Sequence, residues 1–204
     1  MDGTLVDSHV GVERTWRRWA TLHGLDPEPL IRSAQGRRTR ESMADLVPLS
    51  DLDREVAWLD AAEFDDLDGT VEVPGAAALL AELPPAIWAV VTSAGRELAR
   101  RRLSAAGLPI PPLLITSEDV VRGKPSPDGY LLAAERAAVQ VRDCVIFEDA
   151  APGIAAGLAS GARVVGLATT QPAASITGVQ AVIRDYRGVR VLPDGGAWRI
   201  ELPE

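Results

Sequence analysis

The sequence predicts an α/β domain in which a mostly parallel sheet carries a small helical module inserted near its N-terminus. Beyond Val73-Pro74-Gly75, short apolar runs alternate with amphipathic helices, the pattern of βα units that build a parallel sheet. Before that point, over residues 9–68, apolar residues recur at helical spacing instead. With 204 residues, 47% of them apolar, the chain is large enough for one such domain with a proper core and room for the module.

In the helical stretch Val12, Trp16, Trp19 and Ala20 form one apolar stripe, and Leu52, Val56 and Leu59 another. Turns fall at Gly24-Leu25-Asp26-Pro27, at Gly36 and at Pro48 to Asp51, where Ser50 or Asp51 is the expected helix cap. The strands that follow are expected at residues 87–92, 113–116, 144–147, 164–167 and 181–183. Helices are expected between them at 76–83, 97–106, 128–138 and 153–159, with Gly107 just past the end of the second. The tail, 189–192 and 198–202 around Pro193-Asp194-Gly195-Gly196, reads as a hairpin. Gly153, Gly157 and Gly161, four apart, suit close packing of a helix on the sheet.

Composition narrows the function. A net charge of -8 and a pI near 4.9 argue against a nucleic-acid partner, which calls for a basic face. Arg100-Arg101-Arg102 is expected to be the wet side of a helix. No apolar run approaches the roughly 18 residues of a membrane span, and Asp2 and Asp7 stand where a secretion signal is basic and then apolar. The single cysteine, Cys144, cannot form an internal disulfide and suits a reducing cytoplasm. His9 and His23 lack partners at metal-ligand or triad spacing and read as structural. No serine sits in a Gly-x-Ser-x-Gly elbow. The sequence sets no oligomeric state.

In an open parallel sheet, ligands bind at the carboxyl edge of the strands, and four segments fall there. Asp2-Gly3-Thr4 is by itself a common turn, but Leu5-Val6-Asp7-Ser8 and a helical module follow it. The chemical reading makes Asp2 an acid/base, giving a proton to a leaving oxygen and taking one from water, with its carbonyl holding a cation. Thr92-Ser93, after an apolar strand and before a helix, either caps that helix or cradles a phosphate. Lys124 is either an ordinary surface lysine or, fixed between Gly123 and Pro125, a positive charge offered to phosphate; Glu118 and Pro125 exclude a Walker A loop. Glu148-Asp149 either caps the next helix or binds Mg²⁺, which takes hard oxygens from one or two carboxylates and keeps waters.

Together, the opening Asp-Gly-Thr-Leu-x-Asp-Ser, Val91-Thr92-Ser93, Gly123-Lys124-Pro125 and Phe147-Glu148-Asp149 resemble, in order and spacing, the four motifs of the haloacid dehalogenase superfamily. The resemblance covers essentially the whole chain. Residues 115–120, 123–131, 148–157 and 166–170 look like the glycerol-phosphate and 2-deoxyglucose-6-phosphate phosphatases in particular. It implies a Rossmann-like core, residues 1–8 and 69–204, with residues 9–68 as a mobile helical cap. It further implies Mg²⁺ held by Asp149, Glu148 and the Asp2 carbonyl, with Lys124 and Thr92 neutralising phosphoryl oxygens and Ser93 beside them. Arg38, in Gly36-Arg37-Arg38-Thr39, resembles the cap residue that reaches over a small phosphorylated substrate.

The superfamily's first motif is Asp-x-Asp-Gly-Thr, and Met1 stands at its variable position. The resemblance therefore implies that the nucleophile, and the central strand ending in it, lie upstream of Met1, and that the 204-residue chain is nearly inert. Burying such a strand stabilises by about 5 to 10 kcal/mol. The expected activity is hydrolysis of small sugar or polyol phosphates through an aspartyl-phosphate. The alternatives are a β-phosphoglucomutase-like mutase and a non-catalytic phosphosugar-binding module.

Overall fold

The computed structural model describes residues 1–203 and resolves the two sequence patterns into two packed layers of helix and sheet. The helical stretch forms α1 (His9–His23), α2 (Pro27–Ala34), α3 (Thr39–Ala44) and α4 (Leu49–Asp65). α1 buries Trp16, Trp19 and Ala20 of its expected stripe, with Val12 half-buried, and stops at Gly24, whose left-handed backbone (φ 65°) lets its N–H turn back to the helix end. Asp26 caps α2, its carboxylate accepting from the Glu28 N–H at 3.1 Å, and Pro27 occupies the first turn where no donor is needed. α4 departs from expectation. It begins on Leu49 behind Pro48, so Ser50 and Asp51 fall inside the first turn and no side chain caps it. These helices close around Trp16, Trp19, Met43, Leu52 and Leu59, an apolar cluster separate from the sheet's.

Two short straps carry the chain into and out of this helical stretch. β1 (Val6–Asp7) and β2 (Val71–Glu72) pair antiparallel, Val6 opposite Glu72. The sheet follows as β3 (Val90–Val91) parallel to β4 (Leu114–Ile115), and β5 (Val145–Glu148), β6 (Arg163–Leu167) and β7 (Ala181–Ile183), parallel in that order. Between them run α5 (Ala76–Glu82), α6 (Arg96–Ala105), α7 (Asp128–Arg136) and α8 (Ala151–Ser160), and the tail folds as the expected hairpin of β8 (Arg190–Asp194) and β9 (Ala197–Glu201). β3 starts later than expected because Pro84 and Pro85 hold residues up to Ile87 in a 3₁₀ turn.

Among the described residues, no hydrogen-bonded ladder joins β3 to β5. The two sheets meet through side chains instead, in a cluster that includes Met1, Val90, Leu114, Val165, Leu167 and Ile183. Gly157 lets α8 lie against β6, since a Cβ there would stand 2.9 Å from Val164, whereas Gly161 is a left-handed helix end with open space around it. Gly107 follows α6 at φ 70°, as expected.

The arginine run is corrected. Arg100 is exposed, but Arg102 is only 5% accessible, on the same side of α6 as the buried Ala99 and Leu103. Among the described residues no helix is long and apolar enough to cross a membrane.

Leu103 is fully buried where α6 meets the main cluster. Leu103→Ala is expected to destabilise the fold by about 2–5 kcal/mol, read as a lower urea midpoint with an unchanged slope.

Candidate active site

The first loop is built by backbone geometry. The Met1 carbonyl accepts N–H groups of Thr4, Leu5 and Val6 at 2.7–3.1 Å, and Gly3 turns at φ 68°. A Cβ at Gly3 would overlap the Asp149 carboxylate, so glycine alone lets this loop lie against the end of β5. There Thr4 Oγ1 donates to Asp149 Oδ1 at 2.7 Å and Thr170 Oγ1 to Oδ2 at 2.9 Å, while Gln171 Nε2 holds the Asp149 carbonyl.

Glu148 and Asp149 are adjacent, both buried, and have different partners. The Glu148 carboxylate accepts from Lys124 Nζ and from the Tyr130 hydroxyl, and Gly153 leaves the space it occupies. Burial pushes the Glu148 carboxyl up, but Lys124 and the neighbouring donors outweigh it and hold it below the usual range. Asp149 goes the other way, raised by burial and by the Glu148 charge. The Tyr130 phenol is pushed far up by burial and by Glu148, so it stays a donor. Neither acid caps α8, where Ala150 holds the cap position without a side-chain bond.

Asp2 lines the same cavity as these acids. Its Oδ1 accepts from Ser8 Oγ at 2.7 Å and lies 3.2 Å from Arg102 Nη1. Burial raises this carboxyl, while Arg102, the Met1 amine and Ser8 together bring it below its ordinary value. Thr92, just past β3, does not cap α6; Gly95 precedes that helix and Thr92 Oγ1 accepts from the Ala94 N–H. Ser93 Oγ donates to the Gly36 carbonyl at 3.0 Å, crossing from sheet to helical stretch. Arg38 donates to the carbonyls of Val120 and Val121, at 2.9 and 3.1 Å, fastening the helices to the loop that leads to Lys124.

All the expected site residues border one chamber of about 570 Å³: Asp2, Thr92, Ser93, Lys124, Glu148 and Asp149 on the sheet side, Arg38 across from them. That volume suits a small-molecule site. Trp16, Val56 and Phe64 close the wall on the helical side. Thr4, Ser8, Tyr130, Thr170, Arg102 and Glu63 complete the arrangement without having been marked as site residues in the sequence. Of these, Thr4, Ser8, Tyr130 and Thr170 stood in the recognised motif runs, and Arg102 carried an apolar-face signal in its spacing from Ala99 and Leu103. His23 stacks on Trp19 and pairs with Glu55, and His9 pairs with Glu13.

A cation has a restricted but suitable place. Among the described residues no cluster of three or more His, Cys, Asp or Glu side chains could cage a metal. Mg²⁺ does not require one, since it binds through one or two carboxylates, waters and substrate oxygens. Asp149 keeps lone pairs beyond its two hydroxyl bonds. The Asp2 carbonyl has no hydrogen-bond partner among the described residues, in contrast to the carbonyls of Met1 and Gly3. Glu148, expected to assist the metal, takes Lys124 and Tyr130 on Oε1, while its Oε2 accepts only the Asp149 N–H at 3.2 Å.

The chamber's outer lip is braced by Asp119, which accepts from the Thr116 N–H and hydroxyl and pairs with Arg96 and Arg136. Burial raises this carboxyl, but the bonds prevail and hold it low. A depressed folded pKa means the stabilisation is complete above the unfolded value of about 3.9 and vanishes as pH falls through the folded one. Asp119→Asn should thus unfold at lower urea than the parent near about pH 7, the gap closing as pH drops below about 3.9.

A haloacid dehalogenase-like hydrolase model matches residues 1–161. Hexitol phosphatase A of Escherichia coli (strain K12) is 37% identical over 196 residues, covering 94% of this chain and 91% of that protein. Glycerol-1-phosphate phosphohydrolase 2 of Saccharomyces cerevisiae is 32% identical over 219 residues, covering 100% and 86%. A HAD family hydrolase from Deinococcus radiodurans R1, solved with bound phosphate and sodium, superposes with a TM-score of 0.66 at 28% identity, over 92% of this chain and 89% of that one. The motif geometry and these matches along nearly the full length agree, and the chain belongs to the haloacid dehalogenase-like hydrolase family.

Proposed function

We propose that this hydrolase is a Mg²⁺-dependent phosphatase of small sugar or polyol phosphates, working in the cytoplasm through an aspartyl-phosphate. The observation that carries the reading is the convergence of Asp2, Thr92, Ser93, Lys124 and Asp149, from four separate strand ends and loops, on one chamber roofed by helices. The relatives named for hexitol phosphate and glycerol 1-phosphate support the substrate class.

In this reading residues 1–8 and 69–204 are the core and residues 9–68 the cap. The cap keeps water from the reacting phosphoryl group, and Arg38 is its contribution at the chamber wall. Lys124 and Thr92 neutralise the phosphoryl oxygens, and Ser93 steadies the closed cap through the Gly36 carbonyl. When bound, Mg²⁺ would be held by Asp149 and the Asp2 carbonyl and would offset phosphate charge.

The attacking carboxylate belongs to an aspartate joined ahead of Met1. The Met1 amine is buried beside Lys124, Glu148 and Asp149, so a residue attached there reaches the chamber floor, between the unladdered β3 and β5. That carboxylate forms a bond to phosphorus as the ester P–O bond breaks, and Asp2 gives its proton to the departing alkoxide. Water then attacks the acyl phosphate, Asp2 takes its proton, and inorganic phosphate and the free aspartate are restored.

The test compares the 204-residue chain with one extended by an aspartate-bearing segment, on glycerol 1-phosphate and a hexitol phosphate. Extension should raise phosphate release by several orders of magnitude, on the scale of the roughly millionfold loss seen when a nucleophile is removed. Chelation of Mg²⁺ or Asp149→Ala should abolish that gain. An extended chain that keeps its rate without Mg²⁺ and with Asp149→Ala would refute the proposal, and isomerised sugar phosphate without free phosphate would make it a mutase.

A further inference from the structure

We propose that Arg102 is a positioning residue that makes the placement of the Asp2 carboxylate depend on closure of the cap; this rests on the reading of residues 9–68 as a cap and of Asp2 as the acid/base.

Arg102 lies on α6, in the core, almost wholly out of water. One guanidinium nitrogen, Nη1, is 3.2 Å from Asp2 Oδ1; the other, Nη2, donates to Glu63 Oε2 at 2.9 Å. Glu63 is also buried and belongs to the last turns of α4, in the cap. The preceding residue makes a second grip, with the Arg101 guanidinium stacked 3.9 Å over the Phe64 ring. Two consecutive core residues thus hold two consecutive cap residues, at the wall of the chamber itself.

The fork of a guanidinium is suited to taking both oxygens of one carboxylate. With the cap closed it is divided between two. Asp2 then meets Arg102 and Ser8 through Oδ1 alone, and Oδ2 is the oxygen left for proton transfer. Withdrawing Glu63 leaves a buried cation with half of its partners gone, a strongly unfavourable state unless Asp2 turns to occupy the whole fork. Opening therefore draws Asp2 away from the phosphate position, and closing returns it. Acid/base chemistry is confined to the shielded state, which spares the site from working on a phosphate still exposed to solvent.

The experiment follows two readouts in the aspartate-extended chain. Backbone hydrogen exchange without substrate reports cap closure at residues 36–41 and 120–123; steady-state kinetics report kcat and KM. Glu63→Gln should speed exchange in both segments by about tenfold and act mainly on KM. Arg102→Met should speed it equally and also lower kcat, by on the order of tenfold or more. The double variant should be no worse than Arg102→Met alone, because the two side chains act as one device. Arg102→Lys, which keeps a charge but not the fork, should recover exchange protection more than kcat. Additive effects of the two substitutions on exchange, or an Arg102→Lys enzyme with parental kcat, would overturn the proposal. The exchange readout needs no catalysis, so it judges the latch even where phosphatase activity or its Mg²⁺ dependence fails to appear.

Discussion

A charge removed from water must be matched by another, and this requirement organises the molecule around its chamber. Glu148, Asp149, Arg102 and Glu63 are all more than nine-tenths buried. Each is an unfavourable burial unless a partner arrives, and the partners come from far along the chain: Lys124 to Glu148, Thr4 and Thr170 to Asp149, Arg102 to both Asp2 and Glu63. The parallel strands bring these segments to one edge, and the glycines at 3 and 153 let backbone and carboxylate approach closely enough to complete the pairs.

The same requirement assigns different work to two neighbouring acids. Alternation along β5 and into its loop sends Glu148 and Asp149 to different surroundings, one facing a lysine and a phenol, the other two hydroxyls. Lys124 beside one holds it ionised, while the other, without a lysine partner, is raised by burial and by its neighbour's charge. Lys124 is accordingly anchored by Glu148 with its charge held at the chamber floor, and Asp149 is the acid with electrostatic reason to receive a cation.

Much of this was legible in the chain before folding. The strand runs after Pro74, the helices between them and the tail hairpin carry period and turn signals that survive in the structure, as do Gly24 and Gly107 at helix ends. The four segments at the sheet's edge were recognisable because their chemistry is local: an Asp-Gly turn, a hydroxyl pair, a lysine between Gly and Pro, two adjacent acids. What escaped notice depends on long-range pairing. Arg102 looked wet within a triplet of arginines, and only carboxylates far along the chain, Asp2 in the first loop and Glu63 on α4, make its burial tolerable. Nothing near Glu148 in the chain announces Tyr130 and Lys124 as partners of its Oε1. The late start of β3 is a local matter by contrast, set by the adjacent Pro84 and Pro85 ahead of an apolar run.

The strap formed by β1 and β2 has an evolutionary reach. Because Val6 stands opposite Glu72, the polypeptide leaves the sheet and returns to it at nearly the same point. A detour whose ends coincide can be lengthened, shortened or exchanged for another fold without disturbing the framework that hosts it. A change confined to that looped-out stretch therefore leaves the strand framework, and the carboxylates at its edge, in place.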